Sequence, residues 1–261
     1  MAMATTPEKL GLPGMAASMF NEDTKNYTAE QMAVELQKLG SSISVFDELD
    51  GISFNVQSLK KNISATLALL EERMLRPNFT EQAFSRLQKQ AMEGFKQRKS
   101  QPAAIASEII DKLNFGANNI LGMSDNGTEQ TIKNLSLKDI ENYYSNYMTS
   151  RDAQVVIVGD VSQAEILPQL AFLNKLPNKK VSNAKPAAAP PIAKTKIYLV
   201  DVPKAAQTEF RVGNATGLKY DAIGEYYKLG LVNHILGGDF NSRLNINLRE
   251  DKGYTYGARS A

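Results

Sequence analysis

Hydrolytic metal chemistry asks for imidazole or thiolate ligands, and this chain of 261 residues holds one histidine, His234, and no cysteine. Catalytic zinc is held mostly by such ligands, usually at least two of them. The chain alone is a poor candidate for a complete zinc site. Calcium or magnesium would need acidic residues at EF-hand spacing, and no loop carries them. A serine nucleophile needs a His or Lys base placed beside it, and no nucleophile-elbow sequence is present. His234 falls on a helix just before Gly237-Gly238, where a lone imidazole reads as an interior or surface group rather than a ligand.

Charge narrows the partners. Lys plus Arg (30) against Asp plus Glu (28) leaves a net +2, so no global field gathers nucleic acid or an anionic membrane surface. With 43% apolar, 8% aromatic and 22% charged residues, the composition is that of a soluble globular chain with one large core or two modest ones. The absence of cysteine excludes a disulfide framework and is compatible with an oxidising or a reducing compartment. The first residues lack the apolar stretch of a secretory signal, and no segment reaches the eighteen or so apolar residues of a membrane-spanning helix.

The elements that must position any site follow from periodicity. Thr28-Ala-Glu-Gln opens a helix with a capping box, Met32, Leu36 and Leu39 form its apolar stripe, and Gly40 ends it. Alternation over 42–47 and 52–57 predicts an antiparallel hairpin turning at Asp50-Gly51. Helical stripes follow: Ile63, Leu67, Leu70 and Met74; Phe84, Leu87, Ala91 and Phe95 after the Thr80 cap; and Ile105, Ile109 and Leu113 after Pro102. A loop spans 116–130. Ser136 with Asp139 starts another helix with Leu137, Ile140, Tyr144 and Tyr147 inward, 153–159 reads as a buried strand, and Ser162 with Glu165 caps one more helix.

Residues 182–194 have the Ala/Pro-rich composition of a semi-extended linker. Beyond it come predicted strands at 196–201 and 207–212, helices near 221–236 and 240–250, and a strand from Tyr254 onward. The chain stops in mid-alternation, as expected of a piece of something longer. Hairpins among helices favour an α+β fold, an antiparallel sheet with helices packed on one face. The expected organisation is a first domain over 1–184 with a linker at 185–194. Residues 195–261 would begin a second domain, incomplete here and homologous to the first through a faint echo of 36–45 in 248–257.

The segment 236–258, from Leu236-Gly-Gly-Asp-Phe-Asn-Ser-Arg to Lys252-Gly-Tyr-Thr-Tyr-Gly-Ala, resembles the second-domain signature of the pitrilysin or insulinase-type zinc metallopeptidases, particularly their processing-peptidase-like branch. Gly11-Leu12-Pro13 through Met19 and Thr24 is similar to that family's opening, and 192–218 to its second-domain entry. The resemblance covers nearly the whole chain but only part of the family's two-domain unit.

In active members the opening carries HxxEH on a helix, two zinc-binding histidines with a Glu that activates the bound water. Here those places fall on Gly14, Ala17 and Ser18, and the distal Glu ligand near Glu93 and Gly94. The resemblance therefore implies a non-catalytic half with no cofactor of its own. Zinc is expected in an HxxEH-bearing homologous partner, whether a separate subunit or an upstream half of the same polypeptide. It also implies that Arg249, with Tyr256 seven residues on, reaches peptide bound on the partner, because both side chains donate toward a carbonyl oxygen that develops charge. Tyr254 lies on the same predicted strand face and competes for the second role. The other function class is a structural or assembly subunit of the same fold that takes no part in hydrolysis. Resemblance to bacterial members implies the cell envelope as compartment.

Overall fold

A computed structural model of the protein describes residues 6–48, 51–181 and 185–261. The chain divides into two compact units, Met1–Gly213 and Asn214–Ala261.

The first unit is built around helix α1 (Leu12–Phe20). Its start is fixed by Gly11 at φ +85°, where a Cβ would strike the backbone of Asn126 and the side chain of Ile132. Helix α2 (Ala29–Lys38) carries the expected capping box, with Thr28 accepting from Gln31 N at 3.2 Å and Thr28 N donating to Gln31 Oε1 at 2.9 Å. It closes on Gly40 in the left-handed region at φ +58°. Strands β1 (Ser42–Asp47) and β2 (Ile52–Gln57) then pair antiparallel, with Ile43 opposite Val56 and Val45 opposite Phe54. Asp50 of the expected turn lies outside the described residues.

Helices α3 (Ile63–Leu75), α4 (Glu81–Arg98), α5 (Pro102–Phe115), α6 (Glu129–Lys133), α7 (Leu137–Tyr147) and α8 (Gln163–Ile166) complete the unit. A tighter helical stretch, Leu167–Lys175, continues from α8. One core cluster joins Met15, Ala16 and Met19 of α1 to Phe84 of α4 and Ile140 and Tyr143 of α7. A second joins Met32, Leu36, Ile43, Leu67 and Leu70 to Ile166, Phe172 and Leu176. Between them Phe20 sits at the centre of an aromatic group, with ring centroids 5.4 Å from Phe54 and 5.7 Å from both Phe79 and Tyr144. The open end of the hairpin is tied to α3 by three hydroxyls: Ser41 and Ser58 lie 2.8 and 2.9 Å from Thr66 and 3.2 Å from each other.

Several expectations are corrected. The stripe Ile105, Ile109 and Leu113 forms its helix, but no residue of α5 is fully buried. In α7 the buried pair is Ile140 and Tyr143, while Tyr144 turns to donate to Met74 O at 3.0 Å. The long loop holds a short helical turn, Ile120–Gly122. Residues 153–159, 196–201 and 207–212 have no regular secondary structure. A strand exists only through bonds to a neighbour, and among the described residues the one paired sheet is β1 with β2.

The second unit holds α9 (Glu225–Asn233), a wider helical turn His234–Gly238 that includes Gly237-Gly238, and α10 (Arg243–Asn245), which runs into a second wide turn, Ile246–Asp251. Residues from Tyr254 onward form no strand here either. They are held by side chains and by one close backbone approach. Asn245 Oδ1 accepts from Ala258 N at 3.1 Å, Asn233 Nδ2 donates to Ser260 O at 2.7 Å, and Ser260 N donates to Gly237 O at 3.0 Å. A side chain at Gly237 would strike Ser260.

Candidate functional site

The three positions expected to correspond to HxxEH, two ligands and the water-activating Glu, all lie on α1, and none offers an imidazole or a carboxylate. Gly14 has no side chain. Ala17 is 3% exposed and belongs to a buried cluster with Phe20 and Val45, so the methyl group fills its space. Ser18 turns its hydroxyl back onto its own helix, donating to Gly14 O at 2.9 Å, an arrangement that satisfies the hydroxyl locally. Glu93 stands exposed on α4 and pairs with Lys96 at 2.6 Å. With Gly94, Arg86 and Lys89 it lines an open groove of about 690 Å³. α4 meets the α1 cluster through other residues, Ala83, Phe84 and Leu87. An ion pair of 2.5 Å also runs from Arg86 to Glu22, just past the end of α1. This donor set does not fit catalytic zinc, and among the described residues no group of three or more His, Cys, Asp or Glu side chains is placed to hold a metal ion.

One carboxylate near these positions was not legible in the sequence. Asp47, at the end of β1, lies with Oδ2 3.4 Å from where a Cβ on Gly14 would stand. That is ordinary van der Waals contact, and only the packing of the hairpin on α1 reveals it. Asp47 belongs to an acidic neighbourhood. Burial raises the carboxyl of Asp125 above the ordinary range, and the charges of Asp47 and Asp111 push it further the same way. Burial alone raises Asp111. The charge of the N-terminal amine opposes these effects without cancelling them, and the balance favours the protonated form of Asp125.

In the second unit Arg249 lies in the Ile246–Asp251 turn. Its guanidinium carbon sits 4.4 Å over the ring of Phe240, and Nη1 forms an ion pair with Glu250 at 2.9 Å. Phe240 was not singled out by spacing, although an aromatic ring is a natural seat for a guanidinium. Tyr256 is 92% exposed and Tyr254 77% exposed. The backbone of Tyr254 is fixed to the wide turn by its N–H, which donates to Leu248 O at 2.9 Å. Among the described residues no hydrogen bond, ion pair or ring contact joins Arg249 to Tyr256. The two side chains are presented by one unit but not brought together, and nothing holds the phenol in a single direction.

Comparison with known proteins identifies the family. Residues 2–120 match the family described as Insulinase (Peptidase family M16), and residues 134–261 match Peptidase M16 inactive domain. The chain is similar to an uncharacterized zinc protease YmxG of Bacillus subtilis, at 23% identity over 98% of this chain and 61% of that protein. It is also similar to a non-peptidase homolog YmxG of Helicobacter pylori, at 25% identity over 95% of this chain and 56% of the relative. The fold matches the crystal structure of a peptidase M16 inactive domain from Pseudomonas fluorescens with a TM-score of 0.75 and 20% identity, covering 98% of this chain and 62% of that one. The chain thus spans about three fifths of the length of these relatives.

Proposed function

Because the chain belongs to the insulinase-type peptidase family M16, we propose that it is part of a non-catalytic half that closes a peptide chamber around a zinc-bearing, HxxEH-containing partner. The observation that carries this reading is the state of α1. Its three motif positions hold Gly14, a sealed Ala17 and a self-satisfied Ser18, so in this reading a hydrolytic water is activated elsewhere. In this reading the chain has a first domain over 1–184, a linker at 185–194 and the start of a second domain over 195–261. Zinc belongs to the partner half, and the substrate is a peptide. Arg249, seated on Phe240, and the exposed Tyr256 are the groups offered across the chamber. Both donate toward a carbonyl oxygen as charge develops on it, and losing one such donor slows acyl chemistry about 100-fold.

The test is a reconstitution. The full-length polypeptide and its HxxEH partner are assayed for peptide cleavage separately and mixed, then with Arg249→Ala and Tyr256→Phe. Activity confined to the mixture, with each variant slowed about 100-fold, supports the roles. Unchanged turnover in both variants removes them.

One observation favours the second reading, a structural subunit. Arg249 is engaged twice within its own unit, by Phe240 and by Glu250. A scaffold role would show as loss of stability on Arg249→Ala with no change in the partner's turnover.

A further inference from the structure

The sequence holds a single Asn-Gly pair, Asn126-Gly127. It lies in the loop between α5 and α6, with Asn126 exposed and Gly127 buried. The packing of this loop requires the glycine. Gly127 stands at φ +75°, and a Cβ there would lie 2.4 Å from Leu10 O, so the fold admits no side chain at that place. The backbone oxygen of Asn126 is pressed against the start of α1, 2.8 Å from where a Cβ on Gly11 would stand. Glycine leaves its own backbone nitrogen unshielded, and that nitrogen can close a small ring onto the side-chain carbon of the preceding asparagine.

Arg98, the last residue of α4, stands over the same side chain. One orientation of the Asn126 amide satisfies the guanidinium, with the side-chain oxygen 3.1 Å from both Nη1 and Nη2. Two charged donors on one carbonyl oxygen draw electron density from the amide carbon. They are also aimed where negative charge grows when a nucleophile adds to that carbon. A carboxylate at 126 would take the same fork bidentately. The nucleophile has one restraint: Gly127 N donates to Ser124 O at 2.9 Å. A single turn bond in a surface loop belongs to the class that opens most readily, and it opens without disturbing Arg98.

We propose that Asn126-Gly127 is a self-modifying site at which Asn126 becomes a carboxylate, with Arg98 polarising the amide and then holding the product. Gly127 N gives its proton to water and bonds to Asn126 Cγ. The Oδ1 oxyanion collapses, the Cγ–Nδ2 bond breaks, and Nδ2 leaves as ammonia after taking a proton from water. Water then adds to one carbonyl of the cyclic imide and opens it, leaving aspartate or its β-linked isomer at 126. The net change consumes a water and releases an ammonia, with no oxidation or reduction. The new charge stands next in sequence to Asp125, and the Arg98 fork offsets it. The site is independent of the roles proposed for Arg249 and Tyr256.

Incubation of the folded full-length polypeptide in heavy-oxygen water, followed by peptide mass mapping, tests it. The expected result is loss of ammonia and uptake of heavy oxygen at Asn126. Arg98→Ala is expected to slow this conversion about tenfold, less than the loss of a buried oxyanion donor because the site is open to water. Arg98→Lys keeps a charged donor and should restore part of the rate. In urea, where the loop is undone, the parent chain and both variants should convert alike, which separates the Arg98 contact from the reactivity of the Asn-Gly pair itself. Intact Asn126 in the folded chain overturns the proposal, whatever the unfolded chain does. So does an Arg98→Ala chain that converts as fast as the parent or faster, which would make the guanidinium a restraint. A difference between the chains that persists undiminished in urea overturns it as well.

Discussion

Arg73 and Asn21 are joined side chain to side chain, with Nη1 donating to Oδ1 at 3.0 Å, and together they cover the outer edge of β1. Arg73 is 5% exposed, burial lowers its pKa from the ordinary arginine value, and its partners are neutral. Its role is to satisfy oxygens that would otherwise be dry. Arg73→Met should therefore lower unfolding stability by about 2–3 kcal/mol, the cost of stranding buried acceptors. Urea titration reads this as a lower midpoint with unchanged slope. An unchanged midpoint would show that water already reaches Ile43 O.

Glu72 sets a pH dependence on the acid side. Burial would raise its carboxyl, but hydrogen bonds from Arg76 and from both nitrogens of Asn26 outweigh it and hold the pKa below the ordinary glutamate value. A depressed acid contributes stability above its unfolded pKa, and that contribution is lost as pH falls through the folded value. Glu72→Gln should lower the melting temperature at neutral pH, with the difference from the parent chain shrinking below about pH 4. A difference that persists undiminished into acid would assign the effect to shape rather than charge.

Asp125 has the opposite sign. Its raised pKa means that ionisation costs the folded state, a cost absent where the carboxyl is protonated both folded and unfolded, and full above the folded value. Asp125→Asn should raise stability at neutral pH and lose that advantage once pH drops below about 3.9, the ordinary aspartate value. Asp47→Asn should move the Asp125 titration downward, as chemical shifts of the carboxyl would report.

Rebuilding a metal motif on α1 should fail on packing before it fails on chemistry. Ala17→Glu places a carboxylate among Phe20 and Val45 without a partner, and such an uncompensated buried charge costs about 3–5 kcal/mol. Thermal unfolding of the single variant checks this. An unperturbed melt would mean that the α1–β1 contact opens easily, and would reopen the question of a latent site.

What could be read along the chain is what the chain specifies locally. The caps at Thr28, Thr80, Ser136 and Ser162 depend on residues three apart, and all four accept from the backbone as expected. The hairpin was legible because β1 and β2 supply each other's bonds. The apolar runs at 154–158 and 196–201 carry strand character without a neighbour, so their spacing alone could not say whether they pair. The loss of ligands on α1 needed only residue identity. Asp47 beside Gly14 and Phe240 beneath Arg249 are tertiary facts, produced by packing over 33 and 9 positions of sequence respectively.

The rings around Phe20 have a consequence for how this protein ages and drifts. The helix at the heart of the unit is moored by hydrocarbon to Phe54, Phe79 and Tyr144, so ring packing sets its place in the unit. Its outward positions can change identity without loosening that mooring.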